Sequence, residues 1–271
     1  MDFLKNDSLE VSIIDPVADQ DRLGWRYCTG GYIWQVTDSK LGELMSGPVY
    51  PDVPGAYDGQ GMPDSFFSIP LRDIGSTDSR GLIVGVGVCD LGTKEVLEFC
   101  NWQVEQTDNR ICMTTTQAFG GYEFELERTV ILSGRTVRSQ TKINNRMAKA
   151  LPISWFPHPF FPHPKGNELC KLNLPAELPE GRGYELADSG FICRKDWAPT
   201  EGYYAPLEFE TGKGLVILQK HPLLGLVAGR CSYVPGLFPI WGNCNTFSWE
   251  PYFERTAARG QSLDWWIEYD F

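Results

Sequence analysis

Polar and apolar residues alternate one by one along most of this chain, and the alternation predicts strands. From Tyr122 to Leu132 one face collects Tyr122, Phe124, Leu126, Val130 and Leu132, while the other carries Glu123, Glu125, Glu127 and Thr129. A period of two is the mark of a half-buried antiparallel strand. Ser133-Gly134-Arg135 reads as a tight hairpin connection, and beyond it Val137, Ser139, Thr141 and Ile143 alternate with Arg138, Gln140 and Lys142. The same signal predicts strands over 10–14, 32–37, 82–89, 96–105, 110–118, 151–156, 215–220, 224–232, 246–251 and 262–269. Turn residues separate them, as in Thr107-Asp108-Asn109, Gly120-Gly121 and Thr211-Gly212-Lys213-Gly214. Almost nothing reads as helix. Many strands at short spacing predict an all-β sandwich or barrel. No break in composition and no repeat divides the chain, so a single domain over 1–271 is expected. Two stretches escape the alternation and are expected as loop excursions: 47–80, rich in Gly, Pro and Asp, and 162–183, with four prolines.

Composition narrows the function. Of 271 residues, 42% are hydrophobic and 22% charged, enough to build a core. The net charge of −11 contains no basic run, so nucleic acid and anionic membrane are excluded as partners. No apolar run is long enough to span a bilayer. Met1 to Glu10 lacks the apolar centre of a secretion signal, which points to a cytoplasmic protein. The eight cysteines include no CxxC pair and lie in strand-like segments, so buried, reduced thiols are expected. Neither Cys nor His falls at metal-ligand spacing, and no cofactor is called for.

The candidate chemistry centres on Trp155-Phe156-Pro157-His158-Pro159-Phe160-Phe161-Pro162-His163-Pro164, which holds two of the three histidines. Each proline fixes its own φ, and each pushes the residue before it away from helix. His158 and His163 must therefore sit on stiff, extended backbone among aromatic walls, a setting suited to a general acid or base. The competing reading is a structural imidazole. His221, in Lys220-His221-Pro222, reads as a turn residue. Glu250, in Ser248-Trp249-Glu250-Pro251, is a carboxylate inside an aromatic strand, where desolvation raises a pKa toward that of a working base. Nine tryptophans offer indole faces for sugar rings, and Trp249 beside Glu250 is the candidate platform. Arg22, Arg26, Arg72 and Arg80 are candidates for gripping a hydroxyl or an anion.

Three landmarks occur in order: the hairpin ERTVILSGRTVRSQTKINNRMAKALPISWFPHPFFP, with Asn144 or Asn145 closing a strand; the segment FPIWGNCNTFSWEPY; and the tail RGQSLDWWIEYDF. Together they resemble the galactose mutarotase-like (aldose 1-epimerase) superfamily, from about residue 8 onward. The resemblance implies a large antiparallel β-supersandwich that binds a monosaccharide or sugar derivative. It implies His158 as general acid and Glu250 as general base for anomer interconversion. It also implies an arginine and an aspartate that hold the sugar, assigned to Arg72 and to Asp196, with Asp188 as competitor. The chain departs from the family pattern in two ways: its box reads FPHPFF, and its first half contains no histidine. Those departures suit a divergent branch acting on another aldose or a sugar phosphate. They also keep open a carbohydrate-binding protein without catalysis. A glycoside hydrolase would need two facing carboxylates, and only one is evident.

Overall fold

The computed structural model describes residues 1–73, 75, 77–210, 212 and 214–271. Thr211 and Lys213 of the expected turn at 211–214 lie outside the described residues, as do Ile74 and Ser76 of the 47–80 excursion.

Alternation becomes pairing. The strand Tyr122–Ser133 pairs antiparallel with Arg110–Phe119 on one side and Thr136–Asn145 on the other. Because Phe119 and Tyr122 are partners, Gly120-Gly121 forms a two-residue turn, and both glycines take the positive φ it demands (56° and 75°). These strands belong to a ten-stranded antiparallel sheet with edges Tyr184–Leu186 and Gln103–Thr107. Ser262–Asp270 lies inside it, between Gly225–Cys231 and Thr136–Asn145.

Smaller sheets form the second layer. One contains Leu151–Pro157 between Phe253–Ala257 and Asp64–Ser65; another orders Phe161–Pro162, Thr246–Trp249, Pro239–Gly242 and Tyr203–Pro206. Their rings stack on those of the large sheet: Phe253 on Trp265 at 4.1 Å between centroids, and Trp249 on Tyr269 at 5.6 Å. Stacked and edge-on aromatics of this kind combine large buried area with defined geometry. The result is the all-β sandwich that the pattern predicts.

Four expectations change. The strand expected over 82–89 is a hairpin, Arg80–Ile83 against Gly87–Asp90, reversing at Gly85 with φ 74°. The strand expected over 96–105 is two strands, Glu95–Phe99 and Gln103–Thr107, in different sheets. The excursion at 162–183 is not an open loop, since Glu168–Leu172 is an interior strand of the large sheet and Ala176–Glu177 pairs with Glu208–Phe209. Its prolines flank these strands rather than interrupt them. The cysteines are all unpaired thiols; six are buried, Cys100 is half-buried, and Cys244, in the turn before Thr246, is exposed rather than buried as expected. Among the described residues no helix is long and apolar enough to cross a membrane.

Candidate active site

The proline-fenced segment carries the chain from one small sheet to the next. His158 donates its backbone N–H to the Pro63 carbonyl at 2.8 Å, and Phe160 donates to Gly61 at 2.7 Å. Pro159, which has no N–H to satisfy, sits between them. Phe161–Pro162 then pairs with Thr246–Trp249. Glu250 follows that strand directly, its N–H on the Pro239 carbonyl at 2.9 Å. Two segments more than eighty residues apart thus meet at one seam.

At the seam His158 Nε2 lies 3.3 Å from Glu250 Oε1, and His158 Nδ1 lies 2.8 Å from Ser248 Oγ. His158 is 1% exposed and Glu250 6%, so the pair is shut off from bulk water. Rings enclose the imidazole: Phe160 at 4.4 Å, Trp241 at 5.9 Å, and Tyr27 and Phe156 at 6.1 Å each. Burial, which penalises the charged form, pushes the Glu250 carboxyl up to about 8, and the positive charge of Arg26 only partly opposes it. Burial, reinforced by Arg26, pushes His158 well below the ordinary imidazole range. Near neutrality the pair therefore holds one exchangeable proton, with burial favouring the uncharged form of each partner. Among the described residues, no three His, Cys, Asp or Glu side chains gather as a metal site would require.

The expected site residues divide. His158 and Glu250 are brought together. Trp249 is not beside them: side chains alternate along a strand, so Ser248 and Glu250 reach His158 while Trp249 turns into the core against Phe161 and Tyr269. Trp241 is the indole that borders His158. Arg72 is exposed next to the Gly120 turn, and among the described residues no contact joins it to the pair. The arginine that acts on both partners is Arg26, lying over the rings of Tyr27 and Tyr57 at 4.9 and 4.6 Å. Its Nη1 donates to the Tyr57 carbonyl at 3.3 Å, and its buried Nε has no hydrogen-bond partner among the described residues. Asp196 and Asp188 are both exposed, and among the described residues no contact joins either to the pair. Arg22 lies over Trp34, and Arg80 pairs with Asp78. His163 Nε2 meets the Asn243 carbonyl at 2.6 Å. His221 ends the strand Val216–His221, buried, with Nε2 on the Leu44 carbonyl and Nδ1 accepting from the Leu223 and Leu224 amides.

Two features escaped the sequence reading. Ser248 stands two residues before Glu250, so strand alternation alone places it on the same face. A second buried acid–base pair, Arg128 with Asp64, lies under the same seam: Asp64 pairs with Pro157, the residue before His158. A hollow of about 770 Å³ lies elsewhere, lined by Leu172, Leu174, Glu177, Ile192 and Phe209.

No family model and no curated protein matches this sequence. Solved structures do match it. A galactose mutarotase related enzyme from Lactobacillus acidophilus superposes with a TM-score of 0.65 at 12% identity, covering 99% of this chain and 96% of that one. A galactose mutarotase-like protein from Lactobacillus casei gives 0.61 at 12%, covering 100% and 99%. An aldose epimerase homologue from C. elegans gives 0.54 at 12%, covering 99% and 98%. The chain has the galactose mutarotase-like fold over its whole length.

Proposed function

We propose that this protein is an aldose 1-epimerase-like isomerase that opens and recloses the ring of an aldose, or of a sugar phosphate, to exchange its anomers. The observation that carries the reading is the 3.3 Å approach of His158 Nε2 to Glu250 Oε1. Ring opening needs one proton removed from the anomeric hydroxyl and one delivered to the ring oxygen. Both oxygens hang on the same carbon, so acid and base must converge on a single point, as these two do. With the shared proton on His158, the Glu250 carboxylate takes the anomeric proton while Nε2–H gives its own to the ring oxygen. The C1–C2 bond turns, and reclosure from the other face reverses the transfers, leaving the pair as it began. A carboxyl near 8 is matched to base catalysis around neutrality. Arg26, whose buried Nε has no partner among the described residues, is the better candidate than Arg72 for holding a sugar hydroxyl. Asp196 keeps a role only if its loop moves toward the pair.

The place of reaction is proposed as cytoplasmic, in keeping with eight unpaired thiols. One observation favours a second reading, a carbohydrate-binding protein without catalysis: the pair is closed over, and a sugar enters only if the surrounding rings part. NMR exchange spectroscopy on a panel of freshly dissolved aldoses and aldose 6-phosphates separates the two. Acceleration of anomer exchange by the wild type and its loss in Glu250→Gln is the expected result. Chemical-shift changes on sugar addition with no acceleration for any sugar establishes the binder.

A further inference from the structure

His158 has two ring nitrogens and, among the described residues, two polar side-chain contacts. Both come from one strand end. Ser248 Oγ meets Nδ1 at 2.8 Å, and Glu250, two residues on, meets Nε2 at 3.3 Å. Four aromatic rings also border the imidazole. Ser248 is fully buried at 0% exposure, and its neighbours Phe247 and Trp249 are locked in the core, so the hydroxyl has no freedom to leave. A neutral imidazole carries one N–H and one lone pair, and whatever its first nitrogen bonds to decides what the second can do.

We infer that Ser248 is a positioning residue: its hydroxyl accepts the Nδ1–H hydrogen bond, fixes the ring plane, and confines the mobile proton to Nε2, facing Glu250. The catalytic part of this inference rests on the epimerase reading; the tautomer part does not. With Nδ1–H held by Ser248, neutral His158 offers Nε2 only as a proton acceptor. A proton on Glu250 then has one place to go, and an imidazolium has one proton to give, to the ring oxygen. No atom is left over: the proton leaving Nε2 is replaced on reclosure, and Nδ1–H never exchanges. In Ser248→Ala the Nδ1–H would be buried without a partner, so the ring moves its proton to Nε2 and meets Glu250 as a donor even when neutral. Groups that orient a histidine through its far nitrogen have effects of roughly tenfold or more on activity when removed.

The experiment is ¹⁵N NMR of the histidine ring nitrogens in the full chain, read alongside anomer-exchange rates. The wild type should show His158 protonated at Nδ1 and free at Nε2. Ser248→Ala should shift the ring toward Nε2–H and slow exchange about tenfold, with KM less affected than kcat, and Ser248→Thr should restore both. A wild-type ring protonated at Nε2, or an Ala variant that keeps the wild-type tautomer, overturns the inference. If the wild type exchanges no sugar, the epimerase reading fails alone, because the nitrogen shifts still decide the role of Ser248.

Discussion

Two buried acid–base pairs sit within a few residues of one another in this protein, and they are built in opposite ways. Arg128 and Asp64 are saturated. The guanidinium reaches the Asp64 carboxylate and the Thr141 hydroxyl, gives Nη2 to Ser139 Oγ at 3.0 Å, and gives Nε to the Gly30 carbonyl at 3.3 Å. Burial raises the Asp64 carboxyl, but Arg128 and the hydrogen bonds around it pull back. His158 and Glu250 have almost no such support. Rings border the imidazole, each of its nitrogens has a single polar side-chain partner among the described residues, and the cation that acts on both groups, Arg26, lies over the rings of Tyr27 and Tyr57. Burial is nearly equal in the two pairs, so burial does not separate scaffold from chemistry. What separates them is how many polar partners the fold supplies: many partners pin a charge in place, and few leave a proton free to choose.

The contrast can be tested step by step. The largest effect is expected at the saturated pair. Asp64→Ala leaves Arg128 buried without a counter-charge and should cost about 3–5 kcal/mol in urea unfolding; a loss under about 1 kcal/mol would mean the two pairs do not differ as described. Next, Glu250→Gln should reduce anomer exchange roughly a hundredfold or more, while the unfolding midpoint at pH 8 stays level or rises. The pH dependence of that difference sharpens the point. Folded Glu250 titrates at about 8 and a free carboxyl at 4.5, so the folded protein holds a proton that the unfolded chain releases across that interval. Stability from this group is therefore greatest below pH 4.5 and is lost as pH rises toward 8, with a slope of at most about 1.4 kcal/mol per pH unit. Glu250→Gln should gain on the wild type over that same window. His158 has the opposite sign, costing stability only as pH falls below 6.5, where the unfolded chain takes up a proton that the buried ring refuses. A smaller effect is expected from Arg26→Gln. Arg26 holds both partners down, so its removal should move the Glu250 and His158 titrations upward together in an NMR titration. Smallest of all, Arg72→Ala should change stability by no more than about 0.5 kcal/mol and leave exchange untouched.

The fold was legible wherever a strand has one wet face. Tyr122–Ser133 and Thr136–Asn145 appear in the sequence almost residue for residue, because alternation and tight turns leave few other solutions. Glu168–Leu172 was hidden: it is short, flanked by prolines, and gains its register from distant neighbours. Arg128 was hidden differently. It lies on the apolar face of its own strand, in step with Leu126 and Val130, yet a charge there looks like an exception until Asp64 arrives from another sheet. The histidine and glutamate were legible as candidates from their proline and aromatic neighbours, and as a pair only through the family resemblance. Trp249, Arg72 and Asp196 were not, since sequence proximity to a site says nothing about which side of a strand a residue takes or where a loop lies. Alternation counted outward from Glu250 puts Ser248 with it and Trp249 against it. Arg26 stood unranked among Arg22, Arg72 and Arg80, because the rings it lies over come together only in the fold.

The place of Ser262–Asp270 inside the ten-stranded sheet bears on how the molecule comes into being. Thr136–Asn145 on one flank and Gly225–Cys231 on the other are both synthesised earlier, and in the sheet this later segment joins them. A nascent chain that has not yet released it from the ribosome carries two exposed sheet edges side by side with no strand to join them. The large sheet therefore closes only after residues 262–270 have been made, and the interval before closure is when chaperones or neighbouring nascent chains have their opportunity.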